Sequence, residues 1–598
     1  MYNRRYSFAE QYVQEGSIQV GAASIYNEEA GYGLLEWTDP ADNAADRFKG
    51  YGGWLPRPAE GRIEADIADT VYGVELREPG LPLRFRAAVP EEGVYAVTVR
   101  IHGGDEGITS LNLYTGRRNM VRRDITVAAG EVFEYRYYVH VCDYIPVVGK
   151  PARSDLSIYI TTVGDIARLS EVTIERSEAP TLFLGGDSIV GDYDTRYPYN
   201  PIISGGSWGQ NVLQYFDGVA VDNQAHGGMT TNCFRDDGHW AIITERIRPG
   251  DIFMFQFGHN DQKRRYLAPY AGYSANLRWY IQQVRQLGAT PVIVTSLSRI
   301  PSRDEDGSYY DLLEEHAEAC RKVGRELHVP VIDLHEHSFQ LFCKMGTDAL
   351  GGYFNDAAHT NDYGAVLMAQ YIASEIKRQQ IEPLCSLMND YDPAPWTPDE
   401  SLRPPTQVSP TDKPERPILP TDLPELPYVD CTGIKQLAGI KQAMARGLLD
   451  PCLKYFHPEA ELPRGQFLFQ FFKAAQSPPK RVYQGRYCDI YKYEFDAQNV
   501  QAALDAELID EATTPNDRFR PDDGLTGSEL LSFIVRALHE PEERAKLGLA
   551  ACEMQARALG LIWDGYERDG KVNRADCTVA LVEMMKLADA AKKRAADV

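Results

Sequence analysis

The 598-residue sequence has no apolar run long enough to cross a bilayer, and residues 1–10 lack the apolar centre of a signal peptide. Its 10 cysteines are scattered without Cys-x-x-Cys spacing, so the sequence indicates neither a zinc site nor a disulfide framework. Positive charge is in short supply: the net charge of −24 argues against a general nucleic-acid or anionic-membrane partner. These absences predict a soluble protein without membrane insertion, located in the cytoplasm.

Composition and length indicate several globular units. Apolar residues make up 43% of the chain and aromatic residues 11%, which is enough to build buried cores. At a domain size of about 150 residues, the length predicts three or four units. Changes of pattern divide the chain into four segments, at residues 1–178, 179–384, 385–427 and 428–595. We therefore expect a multidomain protein.

The first segment, residues 1–178, alternates apolar and polar side chains, most clearly over 95–101, 133–141 and 156–160. This period of two predicts strands with one buried face, and the turns between them favour a β-sandwich of jelly-roll type. The stretch 93–99 and its surroundings resemble the galactose-binding-like modules that precede many polysaccharide esterases and lyases. The resemblance implies a carbohydrate-binding domain, and a purely structural accessory domain is the alternative.

In the second segment, residues 179–384, apolar strands alternate with helices. The predicted strands are Thr181–Leu184, Val219–Asn223, Ile252–Phe257, Pro291–Ser296 and Val329–Leu334, and the predicted helices include Ala271–Leu287, Tyr310–Leu327 and Gly364–Lys377. Strands separated by helices in this way predict a parallel sheet covered on both faces. Functional residues are expected at the carboxyl ends of these strands.

Four short motifs follow the predicted strands of this segment. They are Gly186-Asp187-Ser188, the loop at Gly228, Gly258-His259-Asn260-Asp261 and Asp356-Ala357-Ala358-His359. In this order and at these separations they resemble the four motif blocks of SGNH hydrolases, also called the GDSL family, and are most similar to its rhamnogalacturonan acetylesterase branch. The resemblance covers about a third of the chain. It implies a central α/β/α, flavodoxin-like hydrolase domain.

The same residues supply the groups that acyl transfer requires. Ser188 is the expected nucleophile, His359 the base that takes its proton, and Asp356 the acid that orients the imidazole. The expected oxyanion donors are the backbone N–H groups of Ser188 and Gly228 and the side-chain amide of Asn260. Glycine at position 228 permits close backbone approach, and the Asn260 amide donates without adding a competing charge.

Several cations follow these motifs and are candidates for substrate binding. Lys263, Arg264 and Arg265 come directly after the Asn260 motif, and Arg299 lies at another strand end. On an acidic protein, cations at the mouth of the site favour a uronic-acid backbone, so we single out Lys263, Arg264 and Arg299. An ordinary solvated run of charges is the alternative interpretation.

The sequence predicts no metal and no cofactor. His335 and His337 flank Glu336 after the fifth predicted strand, but no further ligands stand at metal spacing. We therefore expect these three residues to lie in a solvated loop.

The last two segments are a linker and a set of repeats. Prolines recur from Pro393 to Pro427 without apolar periodicity, which predicts that residues 385–427 form a semi-rigid, extended linker. A period of roughly 50 to 60 residues marks three helix–loop–helix units in 428–595. They resemble S-layer homology repeats, with Arg464 and Arg574 at the family's arginine position and Gly527 in its place in the middle unit. That resemblance implies a cell-wall polymer as partner and the cell surface as the alternative location; a docking or dimerising module is the other interpretation.

The expected function is a serine esterase that hydrolyses O-acetyl esters on a rhamnogalacturonan- or pectin-type saccharide through an acyl-enzyme. One alternative is a carbohydrate-binding or wall-attached protein with a secondary esterase domain, and another is an SGNH esterase for a different short-chain acyl group. Under the first alternative, an inactive esterase domain is expected to have lost some of its catalytic residues. Ser188, Asp356 and His359 are all present, which favours the enzyme.

Overall fold

The fold comes from a computed structural model, which describes residues 2–35, 53–56, 67–146, 152–264, 267–303, 309–398, 426, 428–449, 456–477, 483–490 and 497–596. Within these ranges, no helix has both the length and the apolar character that a membrane span requires.

The described part of the first segment consists mainly of strands. They are β1 (Asn3–Ser7), β2 (Ile18–Gln19), β3 (Tyr32–Leu34), β4 (Trp54–Pro56), β5 (Ile67–Thr70), β6 (Gly73–Leu76), β7 (Leu83–Ala88), β8 (Gly93–His102), β9 (Ile108–Thr115), β10 (Asn119–Val127), β11 (Val132–Val141), β12 (Ser157–Gly164), β13 (Ala167–Leu169) and β14 (Glu171–Arg176). One antiparallel sheet has the order β10-β9-β12-β7-β3, and β2-β1-β14-β8-β11 run side by side in a second sheet.

These two sheets share one apolar core. Val97 and Tyr137 from the second sheet are buried in the same cluster as Leu111 and Ile160 from the first. The alternation seen in the sequence therefore has its expected cause, one buried face per strand. Two sheets with a shared core do not by themselves identify a jelly roll or a galactose-binding-like module, so both of these stay predictions.

The second segment contains the strands β15 (Thr181–Gly186), β16 (Thr195–Tyr197), β17 (Ala220–Asn223), β18 (Ile252–Gln256), β19 (Thr290–Val294), β20 (Ser302–Arg303), β21 (Tyr309–Tyr310) and β22 (Val331–Ile332). Its helices are α1 (Trp208–Asn211), α2 (Thr231–Asp236), α3 (His239–Arg246), α4 (Ser274–Gln286), α5 (Glu314–Leu327), α6 (Leu334–Leu350) and α7 (Asp362–Gln379). The five strands predicted for the parallel sheet overlap β15, β17, β18, β19 and β22, and the last of these is shorter than predicted.

Helices cover both faces of this parallel sheet, whose order is β17-β15-β18-β19-β22. Successive residues of one strand face opposite layers: Leu182 packs in a cluster with helices α1, α6 and α7, whereas Phe183 packs in a cluster with α2 to α5. Burial on both faces explains why these strands are continuous apolar runs. The segment is thus an α/β/α layer structure with its strand ends along one edge.

The parallel sheet and the second sheet of the first segment are one continuous ten-stranded sheet. Strand β11 pairs in parallel with β17, with Tyr138 opposite Ala220 and Val139 opposite Val221. The boundary predicted at residue 178 therefore marks a change of strand pattern along the chain. It does not separate two sheets, because strands from both sides of it pair in one continuous sheet.

A buried ion pair also joins the first segment to the hydrolase segment. Arg118 lies in the turn between β9 and β10, and its Nη1 is 2.5 Å from Oδ2 of Asp362, the first residue of α7. Both side chains are only 1% exposed. Arg118 also donates through Nε to the carbonyl of Tyr193 at 3.1 Å.

The described start of the predicted linker, residues 385–398, packs against the rest of the protein. The Tyr391 hydroxyl donates to the carbonyl of Arg123 at 3.1 Å, and the guanidinium of Arg122 lies 4.0 Å from the centre of the Tyr391 ring. The rings of Trp396 and Tyr363 have centroids 4.5 Å apart. These residues are thus part of the packed body; of the remaining predicted linker, 399–425 and 427 lie outside the described residues.

The described part of the last segment is helical. Its helices are α8 (Leu437–Ala445), α9 (Arg464–Ala474), α10 (Ala497–Asp505), α11 (Gly527–Ala537), α12 (Pro541–Arg544), α13 (Leu549–Ala558) and α14 (Arg574–Ala596). All of them except α12 contribute buried side chains to one apolar core. The loops before α9, α11 and α14 meet in pairs through isolated β-bridges, so that each loop contacts the other two. Three loops that each precede a helix and meet one another are consistent with repeated units, whereas the repeat itself and its S-layer homology character stay predictions.

Candidate active site

Strand β15 ends in a tight turn that presents Ser188 at the carboxyl edge of the parallel sheet. Gly186 closes the strand against β18: a β-carbon there would lie 2.7 Å from the carbonyl oxygen of Gln256. The buried Asp187 carboxylate accepts a hydrogen bond from the N–H of Ile189 at 2.9 Å and holds the turn. Glycine is therefore required by close packing, and aspartate by the turn that follows.

Ser188, His359 and Asp356 form a chain of hydrogen bonds. Ser188 Oγ is 2.9 Å from His359 Nε2, and His359 Nδ1 is 2.7 Å from Asp356 Oδ2. The other carboxylate oxygen of Asp356 accepts the backbone N–H groups of Ala358 and His359, each at 2.8 Å. Ser188 is far in sequence from the other two residues, and the fold brings the three side chains together.

The environment keeps Asp356 ionised. Partial burial alone would raise the pKa of Asp356, but the hydrogen bonds from the His359 ring and from the two backbone N–H groups hold that pKa well below its ordinary value. The His359 and Asp356 side chains are 39% and 58% exposed, so a substrate can reach them from solvent. An ionised Asp356 fixes the imidazole tautomer that presents Nε2 to Ser188.

The loop at Gly228 lies beside the nucleophile. A β-carbon placed on Gly227 would be 3.9 Å from Ser188 Cβ, which shows how close this loop comes. Gly228 has a φ of +84°, a conformation that favours glycine, and is exposed. Asn260 is tied to the same loop, because its Nδ2 donates to the carbonyl of Met229 at 3.1 Å. The structure thus gathers the predicted oxyanion residues around one loop.

Lys263 contacts the site through Asn260. Its Nζ donates to Asn260 Oδ1 at 3.0 Å, while Asn260 Nδ2 bonds to Met229. These two bonds fix which end of the Asn260 amide is the donor end. The sequence singled out Lys263 for its charge; its contact with the amide became visible only in the fold.

A group of buried titratable side chains lies behind the nucleophile. Burial raises the pKa of Asp187 to about 7, and the neighbouring Asp261 charge adds to that rise. Burial also raises the pKa of Asp261 to about 6, against the hydrogen bonds that Thr231 donates to it. The pKa of His259 falls well below its ordinary value because the ring is buried and because Arg299 is nearby. The His259 ring is therefore neutral in the physiological range.

Comparison with known proteins identifies the family to which this segment belongs. Residues 184–367 match the model of the GDSL-like lipase/acylhydrolase family. Over 212 residues the chain is 36% identical to the rhamnogalacturonan acetylesterase RhgT of Bacillus subtilis, a match that spans 33% of this chain and 89% of that protein. The chain belongs to the GDSL-like lipase/acylhydrolase family.

Membership in the GDSL-like family makes the protein an ester hydrolase. Two longer matches reach beyond the segment that the family model covers. The chain is 26% identical over 390 residues to the uncharacterized esterase YxiM of Bacillus subtilis, and this match covers 63% of this chain and 91% of that protein. A crystal structure of the YxiM protein is 22% identical, spans 64% of this chain and 99% of that one, and gives a TM-score of 0.34.

The remaining predicted residues have mixed outcomes. Arg264 is exposed and Arg299 half-buried, and Arg265 lies outside the described residues.

The prediction of a solvated loop at 335–337 is wrong: strand β22 ends early and helix α6 begins at Leu334. His335 is buried there, with Nε2 2.8 Å from Asp311 Oδ2. In the described part of the chain, neither His335 nor His337 belongs to a cluster of three metal-binding side chains.

Proposed function

We propose that the protein is a serine esterase that removes O-acetyl groups from a rhamnogalacturonan- or pectin-type saccharide. The observation that carries this proposal is the hydrogen-bonded series Ser188–His359–Asp356 at the mouth of the parallel sheet, with distances of 2.9 Å and 2.7 Å. This arrangement supplies a nucleophile, a base and an orienting acid in the order that acyl transfer needs.

In the proposed reaction, Ser188 Oγ attacks the ester carbonyl as His359 Nε2 takes its proton. The tetrahedral intermediate collapses when the imidazolium returns that proton to the leaving sugar hydroxyl, which leaves an acetyl group on Ser188. A water molecule then attacks the acyl-enzyme with His359 again as the base, and acetate is released. Asp356 stabilises the imidazolium in both half-reactions and stays ionised throughout.

The negative charge of the intermediate falls on the carbonyl oxygen. The proposed donors to it are the backbone N–H groups of Ser188 and Gly228 and the free N–H of the Asn260 amide. Removal of one such donor typically costs about 10²- to 10³-fold in kcat. Because Lys263 and Met229 hold the Asn260 amide at both ends, little reorganisation is needed when the charge forms.

The proposed substrate class rests on two supports. RhgT, the relative that shares 36% identity, is named as a rhamnogalacturonan acetylesterase. In addition, Lys263 and Arg264 follow the Asn260 motif and Arg299 follows another strand of a strongly acidic chain, and we propose that these cations bind the carboxylates of a uronic-acid backbone.

The experiment is acetate release from acetylated rhamnogalacturonan, with Ser188→Ala as the matched control. Loss of the nucleophile of such a triad costs about 10⁶-fold in kcat, so the variant is expected to be inactive, while Asn260→Ala should retain a trace. Acetylated xylan, which is neutral, serves as the second polymer. Equal rates for wild type and Ser188→Ala would end the assignment of the nucleophile.

Two further outcomes separate the enzyme class from its substrate. If the protein hydrolyses a small acetyl ester but releases no acetate from either polymer, the assignment as an esterase stands and the proposed saccharide substrate is wrong. Equal deacetylation of xylan and rhamnogalacturonan would overturn the role of the cations. We also propose a cytoplasmic location, in which the C-terminal helical units serve as a docking or dimerising module. The alternative is a location at the cell surface, where these units contact a cell-wall polymer, and fractionation of native cells distinguishes the two.

A further inference from the structure

A second group of reactive side chains lies where the two halves of the ten-stranded sheet meet. His140 belongs to β11 and Asp222 to β17, and Cys142 directly follows β11. His140 Nδ1 is 2.7 Å from Asp222 Oδ2, and the Cys142 thiol donates to the same oxygen at 3.1 Å. Among the described residues, no other three His, Cys, Asp or Glu side chains bring their ligand atoms within 4.8 Å of one another.

The strand register explains this cluster. Val139 of β11 stands opposite Val221 of β17 in a parallel pair, so the next residues, His140 and Asp222, are also neighbours. A step of two residues returns to the same side of a strand, which brings Cys142 beside His140. The cluster therefore depends on the pairing that joins the first segment to the hydrolase segment.

The donor set suits zinc. A thiolate, an imidazole and a carboxylate are all zinc ligands, whereas a thiolate disfavours Mg²⁺ and Ca²⁺. Zn–S bonds of about 2.3 Å and Zn–N and Zn–O bonds of about 2.0–2.2 Å place tetrahedral ligand atoms about 3.3–3.6 Å apart. To reach that spacing, the contact from Asp222 to His140 at 2.7 Å needs to open by roughly 0.6–0.9 Å and the contact to Cys142 at 3.1 Å by roughly 0.2–0.5 Å.

The cluster borders a cavity that leaves room for a fourth ligand. The cavity has a volume of about 120 Å³ and is lined by His140, Cys142, Asp222 and Gln224, among others. One water molecule needs only about 10–15 Å³ on the same measure. Gln224 Nε2 donates to Asp222 Oδ1 at 2.9 Å, so Oδ2 is the oxygen left facing the histidine and the cysteine. Such a bond to the non-ligating oxygen is typical of carboxylates that bind metals.

Charge balance also favours a dication. His140 and Asp222 are 7% and 6% exposed, so a net charge here would be costly. A bound Zn²⁺ would deprotonate the Cys142 thiol, and one thiolate plus one carboxylate would then neutralise the ion.

We infer that His140, Cys142 and Asp222 bind one zinc ion, with water from the cavity as the fourth ligand. The ion ties strand β11 of the first segment to strand β17 of the hydrolase segment. The proposed ester hydrolysis uses none of these three residues, so this site is independent of it.

The test measures zinc in the full-length protein after reconstitution with Zn²⁺ and removal of free metal by gel filtration. Wild type is expected to retain about one zinc ion per chain. Cys142→Ser, which nearly conserves size, and His140→Ala are expected to lose it. Cys233→Ser is the matched control, because Cys233 is also a half-buried free cysteine and does not line the cavity. Substitution of Co²⁺ for Zn²⁺ should give the visible bands of a tetrahedral site together with thiolate charge transfer, both absent from Cys142→Ser.

A second readout follows stability. A chelator should lower the Tm of wild type and of Cys233→Ser but leave the Tm of Cys142→Ser unchanged, because that variant has no metal to lose. Circular dichroism verifies that each variant is folded before the comparison. The inference is overturned if wild type retains no zinc after reconstitution, or if Cys142→Ser retains as much as wild type does.

Discussion

Replacement of Arg118 by methionine tests how the first segment supports the candidate active site. Arg118 pairs with Asp362 at 2.5 Å and donates to the backbone carbonyls of Tyr193 and Gly205 and, at 3.3 Å, to the side-chain oxygen of Gln210. Asp362 begins α7 only three residues after the base of the candidate site. Arg118→Met removes all of these donors and leaves the Asp362 carboxylate buried without its cation.

The expected loss of stability is large. Removal of one partner from a buried pair costs about 3–5 kcal/mol, which for a domain of this size corresponds to a Tm lower by roughly 6–20 °C. Because burial already raises the pKa of Asp362 and Arg118 opposes that rise, the variant has a still higher pKa in the folded state. A group whose pKa is higher in the folded than in the unfolded protein favours folding when protonated. The unfolded-state pKa is the same in both proteins, so the deficit of Arg118→Met should grow as the pH rises from the folded-state pKa of Asp362 in wild type through the higher one in the variant, and shrink in acid.

Thermal unfolding at about pH 5 and about pH 8 measures both effects. Arg278→Met is the control, because Arg278 and Glu326 are 40% and 41% exposed and such a pair contributes about 1 kcal/mol or less. In an Asp362→Asn background the Arg118 substitution should cost much less, since no buried charge is left behind. Equal deficits in the two backgrounds, or a wild-type Tm for Arg118→Met, would refute the reasoning. Esterase activity should fall with stability, as the loop before α7 loses its support.

Three further predictions concern the site itself. Lys263→Met should lower kcat about 10-fold or more, because the Asn260 amide loses the bond that orients it, and should also raise KM for the acidic polymer, because a substrate-binding cation is lost; a change in KM alone would contradict the role in orienting Asn260. Gly228→Ala should cost about 1–2 kcal/mol in thermal unfolding, because φ is +84° although the space is open, and a stability equal to that of wild type would contradict this account. Asp356→Asn should reduce kcat about 10⁴-fold, because His359 then loses its favoured tautomer, and a rate within 10-fold of wild type would argue against that role.

The hydrolase segment could be predicted well from the sequence because its signals are local. Strands buried on both faces are continuous apolar runs, and the residues that follow Gly186 and Phe257 stand directly at strand ends. The series Ser188–His359–Asp356 needed only the order of the motifs. In contrast, the helix start at Leu334 was missed, because a strand of two residues leaves too little pattern to show where it stops.

Features that depend on long-range pairing could not be predicted. His140 and Asp222 are 82 residues apart, and nothing local marks β11 and β17 as partners. The only local signal for the proposed zinc site is the two-residue spacing of His140 and Cys142 on one strand. The contact of Lys263 with Asn260 is likewise a matter of side-chain direction, which spacing in the sequence does not reveal.

The continuous sheet has a consequence for the way the chain can be divided. Strand β11 is the edge of its own antiparallel sheet until β17 has been synthesised, and β17 is equally an edge if the first segment is removed. Such an edge carries unpaired N–H and C=O groups that readily recruit a strand from another molecule. Each half expressed alone is therefore expected to form dimers or aggregates through this edge, and during synthesis the first segment needs protection until residue 223 has left the ribosome.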